Sequence, residues 1–109
     1  MAFRDKLLDT PAEKVPHEFA QAVIDFVKPI EAVTTAYVGL TEITEDSGSP
    51  REQFAAAFVL ADESENAIVD FAARFYASTP ADVQAGGCNV LDAGGAAAWE
   101  KQAQRVFTR

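Results

Sequence analysis

The chain is poor in the residue types that most metal and redox sites need. Its 109 residues include one cysteine, Cys88, and one histidine, His17. A single thiol excludes an intramolecular disulfide, and one Cys with one His cannot form a structural zinc site. Residues 1–10 contain no continuous signal-peptide core, and a free thiol is typical of a reducing compartment. We therefore expect a cytoplasmic protein.

Long hydrophobic runs are also missing. The longest uninterrupted apolar run, Phe54 to Ala61, is far shorter than the roughly 20 residues of a membrane-spanning helix. The composition, 49% hydrophobic and 24% charged, is that of an ordinary globular protein. These values predict a single domain over residues 1–109 with no membrane segment.

Basic residues are few where acidic ones are concentrated. The formal net charge is -8, and the eleven acidic residues between Glu18 and Asp70 stand against only Lys28 and Arg51. An acidic surface repels phosphate groups, so nucleic acid and anionic membranes are disfavoured as partners. A cationic protein surface fits better, although excess charge also serves plain solubility.

Hydrophobic periodicity predicts the secondary structure. Residues 1–16 form either a lead-in or an edge strand, punctuated by Pro11 and Pro16. Apolar residues at helical spacing predict helices over 17–30, 63–78 and 95–107, and alternation predicts a hairpin of 33–44 and 53–60 and a short strand over 88–92. Asp62 and Glu65 fit a capping box at the second helix, where Ser64 is a competing cap.

This element order predicts an α+β fold. We expect a two-layer sandwich with a mainly antiparallel sheet, helices on one face, a split βαββαβ-like arrangement if the first strand exists, and a C-terminal helix. Tyr37, Ile43 and Val59 lie on the opposite face of the hairpin, and their apolar character predicts a cover there, by the last helix or by a partner. The residues expected on the helix-covered face are Ala36, Val38, Leu40, Phe54, Ala56, Phe58 and Leu60.

Several of these features recur together in one known family. They are Pro11 and Pro16, Ala36-Tyr37 at the opening of the hairpin, the return strand over 53–60, Val90-Leu91-Asp92, and the aromatic-basic end from Phe107 to Arg109. In this order and spacing the chain resembles the C-terminal domain of the bacterial SseB (enhanced serine sensitivity) proteins. Members usually carry another domain before this one, whose role does not transfer. The resemblance implies a bacterial protein linked to serine metabolism and supplies no catalytic residue.

The candidate chemistry is sparse. Cys88 would serve as a nucleophile only if His17 lay close enough to lower its thiol pKa, and a small buried apolar residue is the simpler interpretation. The glycine pairs at 86–87 and 94–95 match no phosphate-binding motif and are typical of turns. The acidic hairpin tip, Glu42 with Glu45 and Asp46, lacks the spacing of a calcium loop. We therefore predict no catalytic residue, metal or cofactor.

Two functional hypotheses remain. The first is a non-catalytic protein-interaction module, binding another protein or a second copy through the outer hairpin face and the acidic tip. Its contact residues would be Tyr37, Ile43, Val59, Glu45 and Asp46. The alternative is a small-molecule, amino-acid-like binding domain or an enzyme of serine metabolism. Its polar contacts would be Cys88, Asn89 and Arg74.

Overall fold

A computed structural model describes residues 3–45 and 48–109, with the backbone alone at 3–5 and 45. The strands of this part of the chain form one sheet: β1 (Phe3–Leu8), β2 (Val33–Glu45), β3 (Arg51–Leu60), β4 (Cys88–Val90) and β5 (Gln104–Thr108). The helices are α1 (His17–Val27), α2 (Glu65–Ser78), α3 (Ala81–Gln84) and α4 (Ala93–Gln102), with a 3-10 turn at Ala12–Lys14. The predicted α+β class is confirmed, and residues 3–8 form the edge strand rather than a lead-in.

The long strand β2 organises the sheet. β3 pairs with it antiparallel on one side, whereas the other side is shared by β1, opposite residues 40–45, and β5, opposite residues 35–38. β4 pairs parallel to β3 and ends the sheet on that side. β1 and β2 are therefore direct antiparallel neighbours. In a split β-α-β unit the two strands are parallel and a third strand lies between them, so these two strands differ from the predicted split arrangement.

The C-terminal segment differs from the helix predicted over 95–107. The helix α4 ends at Gln102, the backbone is extended at Ala103, and the following residues form β5. The reason lies in β2, whose first half receives no partner from β1. Pairing with β5 satisfies backbone groups along this edge that would otherwise have no strand partner.

Thr10 joins the two strands that share this edge. Its amide donates a hydrogen bond to the Gln102 carbonyl at 2.8 Å, and its buried hydroxyl accepts one from the Leu40 amide at 2.8 Å. The Gln104 side chain donates to the Thr10 carbonyl at the same distance. Thr10 thus fills the gap between the end of β1 and the start of β5.

The main core lies between the sheet and the helices α1 and α2. Phe58 is fully buried in β3, and its ring meets those of Phe26, Phe71 and Phe75 nearly edge-on at centroid distances of 4.9–6.1 Å. Such aromatic pairs add roughly 0.5–1.5 kcal/mol each beyond the area that they bury. The hairpin residues predicted for this face are confirmed in this core or against it: Ala36, Val38, Phe54, Ala56, Phe58 and Leu60. Leu40 is buried as well.

The ends of the two long helices are fixed by different devices. Ser64 caps α2, since its hydroxyl accepts from the Ala67 amide at 3.3 Å. Asp62 does not close a capping box with Glu65; its carboxylate accepts from the Ser64 amide at 2.9 Å, and this bond lowers the Asp62 pKa. Arg109 fixes the segment between the end of α1 and the start of β2, because its guanidinium donates to four carbonyls there, at 2.9–3.3 Å. These carbonyls belong to Val27, Lys28, Ile30 and Val33.

Candidate functional site

The sheet face that carries Tyr37 is covered by α4. Trp99 packs over Gly39 so closely that a Cβ added to the glycine would lie 2.8 Å from the indole ring. Tyr37 is only 5% exposed, and the half-buried Val59 packs against the same cluster. Of the two covers that the sequence allowed, the last helix is the one observed. Tyr37 is therefore not part of a free surface.

The other residues of the predicted contact surface lie further along the hairpin. Ile43 is half-buried and stands in register between Asp5 of β1 and Arg51 of β3. The Glu45 side chain and the whole of Asp46 lie outside the described residues. The structure thus brings Tyr37 and Val59 together under α4 and places Ile43 several residues away along the sheet.

A polar cluster fastens α4 to the sheet at this covered face. Glu100 forms an ion pair with Arg105, and hydrogen bonds from Arg105 and Tyr37 lower the Glu100 pKa. Burial, together with the hydrogen bond to Glu100, raises the pKa of Tyr37. The ion pair ties α4 to β5, and Glu100 also interacts with Tyr37 of β2, so this cluster has a structural role.

Cys88 and His17 do not meet. Burial raises the pKa of the Cys88 thiol to about 12, which leaves it protonated at neutral pH. His17 is exposed at the start of α1 and lines a cleft with residues 104–106 of β5. The strands β2 and β3 lie between β5 and β4, and at roughly 4.8 Å per strand the two edges are about 14 Å apart. A Cys-His pair is therefore not formed.

The polar contacts predicted for a small molecule are also not assembled. The Asn89 side chain donates to the carbonyls of Ala56, Gly86 and Gly87 at 3.0–3.4 Å, which holds β4 in place. Arg74 lines clefts beside α2 whose walls include neither Cys88 nor Asn89. The structure thus places Arg74 apart from the neighbouring residues Cys88 and Asn89 of β4.

An apolar surface that the sequence analysis did not single out lies on α2. Val69 is 60% exposed and Tyr76 is 51% exposed, and no other large apolar side chain among those described at 6–44 and 48–109 is as exposed. Seven positions separate them, so they lie on one side of the helix, with the exposed Ala73 between. The Tyr76 hydroxyl accepts from the Cys88 amide at 3.1 Å, so this side of α2 borders β4.

A cleft of about 370 Å³ is lined by Ile68, the residue that precedes Val69 in α2. Its apolar lining is formed by Ile68 of α2 with Val90 and Leu91 at the end of β4, and its polar lining includes Glu63 and Asp92. Asp92 caps α4 by accepting from the Gly95 amide at 2.7 Å. We call the exposed and cleft residues together the α2–β4 surface: Val69, Tyr76, Ile68, Val90 and Leu91.

Two further kinds of site are absent from the part of the chain that the structure describes. It holds no group of three or more His, Cys, Asp or Glu side chains placed to bind a metal ion. None of its helices combines the length and the apolar character that crossing a membrane requires.

Comparisons with protein-family models, with curated proteins and with solved structures found no match. The resemblance to the SseB family and the link to serine metabolism therefore stay predictions from the sequence. The α2–β4 surface is the candidate site that the geometry itself provides.

Proposed function

We propose that this chain is a non-catalytic protein-interaction module that binds a partner protein through the α2–β4 surface. The observation that carries the proposal is the exposure of Val69 and Tyr76 on one side of α2. A helix that serves only to cover a sheet needs apolar residues on its core side alone, and α2 already has Phe71 and Phe75 there. Contiguous apolar residues on the outer side are typical of binding surfaces.

The anchors of this surface are held rigidly. The Tyr76 ring packs edge-on against the buried Phe75 at 5.1 Å, while its hydroxyl is fixed by the Cys88 amide. Tyrosine is among the residues that contribute most to binding energy at protein interfaces. Because Tyr76 is already ordered before binding, a partner that contacts it incurs little loss of side-chain entropy.

The surroundings have the arrangement of a protein interface. Ile68, Val90 and Leu91 are half-buried and extend the apolar area next to Val69, whereas the flanking positions are charged. An apolar centre with a polar rim is the usual anatomy of such interfaces.

Val69→Gln tests the proposal, with Ala98→Gln as the matched control. Both positions are exposed on helices, on α2 and α4 respectively, and glutamine suits a helix and adds no charge. Proteins captured from a lysate by the wild type are purified, and their binding is measured by calorimetry and by amide hydrogen exchange. We expect a partner that binds the wild type and Ala98→Gln equally, binds Val69→Gln several-fold more weakly, and protects amides of α2. Equal binding to all three, or protection confined to other elements, would contradict this surface.

A further inference from the structure

We infer that the segment docked on the α2–β4 surface is basic: an amphipathic stretch whose apolar side chains contact Val69 and Tyr76 while its Lys or Arg residues meet an acidic rim. This inference rests on the proposed function and names the class of partner. The rim consists of Glu63, Glu65 and Asp92, all exposed where α2 and α4 begin.

Two features place negative charge beside the apolar residues, and the helix starts offset only part of it. Glu63 and Asp92 line the cleft directly, and its lining includes no Lys or Arg. Glu65 stands four positions before Val69, one turn away on the same side of α2. The starts of α2 and α4 carry about half a positive charge each, which offsets only part of three carboxylates. A net negative rim remains.

The rim carboxylates are available to a partner. The side chains that the structure describes form one ion pair with a nitrogen–oxygen distance within 4.0 Å. It joins Glu100 and Arg105, on the opposite face of the sheet. None of the described Lys and Arg side chains therefore forms an ion pair with Glu63, Glu65 or Asp92. Basic side chains from a partner can approach these exposed carboxylates, of which Asp92 also accepts a hydrogen bond from the Gly95 amide.

A second copy of the chain fits this surface less well. Each copy carries a formal net charge of -8, so two copies repel over distances at which a basic segment is attracted. Opposite charge accelerates association and suppresses wrong partners. Charge complementarity thus selects a basic partner over self-association.

The probe is a synthetic helical peptide of leucine and lysine with leucine at helical spacing, and the counter-probe replaces every lysine with glutamate. Binding to the purified chain is followed by fluorescence anisotropy at low salt and at about 1 M salt, where the Debye length is about 3 Å. The rim variant combines Glu63→Gln, Glu65→Gln and Asp92→Asn. Asparagine is chosen at position 92 because it can still cap α4. The control variant removes the same charge on the α1 side with Glu13→Gln, Glu18→Gln and Asp25→Asn.

We expect the leucine-lysine peptide to bind the wild type and the control variant alike at low salt. Each rim charge removed weakens binding by about 1.4- to 5-fold, and the three together by about 3- to 100-fold. This difference shrinks at high salt. Equal affinity of the rim variant and the control variant at low salt would overturn the inference.

Val69→Gln separates the inference from the function on which it rests. If the leucine-glutamate peptide binds as tightly as the lysine one, and both are weakened by Val69→Gln, the docking surface stands and the basic partner is refuted. If neither peptide binding nor partner binding responds to Val69→Gln, the proposed function itself fails. Dimerisation of the wild type that Val69→Gln abolishes would also refute the basic partner.

Discussion

Replacing Gly39 with alanine tests whether α4 truly rests on the second face of the sheet. The new Cβ would lie 2.8 Å from Cζ3 of Trp99, 2.9 Å from Cδ1 of Leu7 and 3.0 Å from the Cβ of Ala103. Carbon atoms make favourable contacts at roughly 3.5–4.0 Å, so all three neighbours are too close. The helix or the indole ring must therefore move away from the sheet.

The cost follows from two opposing terms. Forcing an extra methyl group into a packed site costs about 1–3 kcal/mol. The lower chain entropy of alanine in the unfolded state returns about 0.4–1 kcal/mol. The net expectation for Gly39→Ala is a loss of about 0–2.6 kcal/mol in the free energy of unfolding. For a domain of this size each kcal/mol lowers the Tm by about 4 °C.

Urea unfolding followed by tryptophan fluorescence measures this directly, because Trp99 is the single tryptophan and is buried. Gly94→Ala is the matched control: its Cβ would meet only Asp92 Oδ1 at 3.6 Å, and in α4 alanine gains up to about 1 kcal/mol over glycine. We expect Gly39→Ala to unfold at lower urea with red-shifted native emission, and Gly94→Ala to unfold at equal or higher urea. A Gly39→Ala protein as stable as Gly94→Ala, with unshifted emission, would refute the placement of α4.

Two further predictions concern the C-terminus and the thiol. Arg109→Ala should lower the free energy of unfolding by about 1–2 kcal/mol in urea unfolding, because four carbonyls between α1 and β2 lose a charged donor. Arg109→Lys should recover part of this loss, and an unchanged urea midpoint in Arg109→Ala would contradict the role of Arg109. Native Cys88 should react with iodoacetamide at pH 8 about a thousandfold more slowly than the unfolded chain, because its pKa is about 12 against an ordinary 9.0. Equal alkylation rates of the native and the unfolded chain would show an accessible thiolate. The raised pKa also means that the free energy of unfolding declines as the pH rises from 9 towards 12, and that it declines less steeply in Cys88→Ala.

The sequence predicted the faces of the hairpin well. Side chains alternate along a strand, so placing Ala36 on the helix side fixes Tyr37 on the other, and both assignments are confirmed. The predicted limits of the hairpin strands, 33–44 and 53–60, are also close to the observed ones, Val33–Glu45 and Arg51–Leu60. Period-2 alternation is a local property, which is why it could be read without knowing the fold.

The strand β5 could not be read in the same way. Trp99, Ala103, Val106 and Phe107 recur at helical spacing, and neither glycine nor proline interrupts them, so the local pattern continues the helix. The helix ends because β2 offers an unpaired edge next to it. One signal was present: β2 has 13 residues and β1 only six, so part of β2 needed another partner. Tertiary pairing here overrides local propensity.

The candidate site was missed for a related reason. In the sequence, Val69 and Tyr76 look like two more apolar residues of an amphipathic helix, beside Ile68, Phe71 and Phe75. Only the packing of α2 shows that the phenylalanines fill its contact with the sheet and leave Val69 and Tyr76 outside. The sheet face that had seemed free is closed by α4 instead. The apolar area available to a partner therefore lies on the outer side of α2 and not on the hairpin, and acidic residues flank it where α2 begins. This position makes the charge of the partner a testable property of the site.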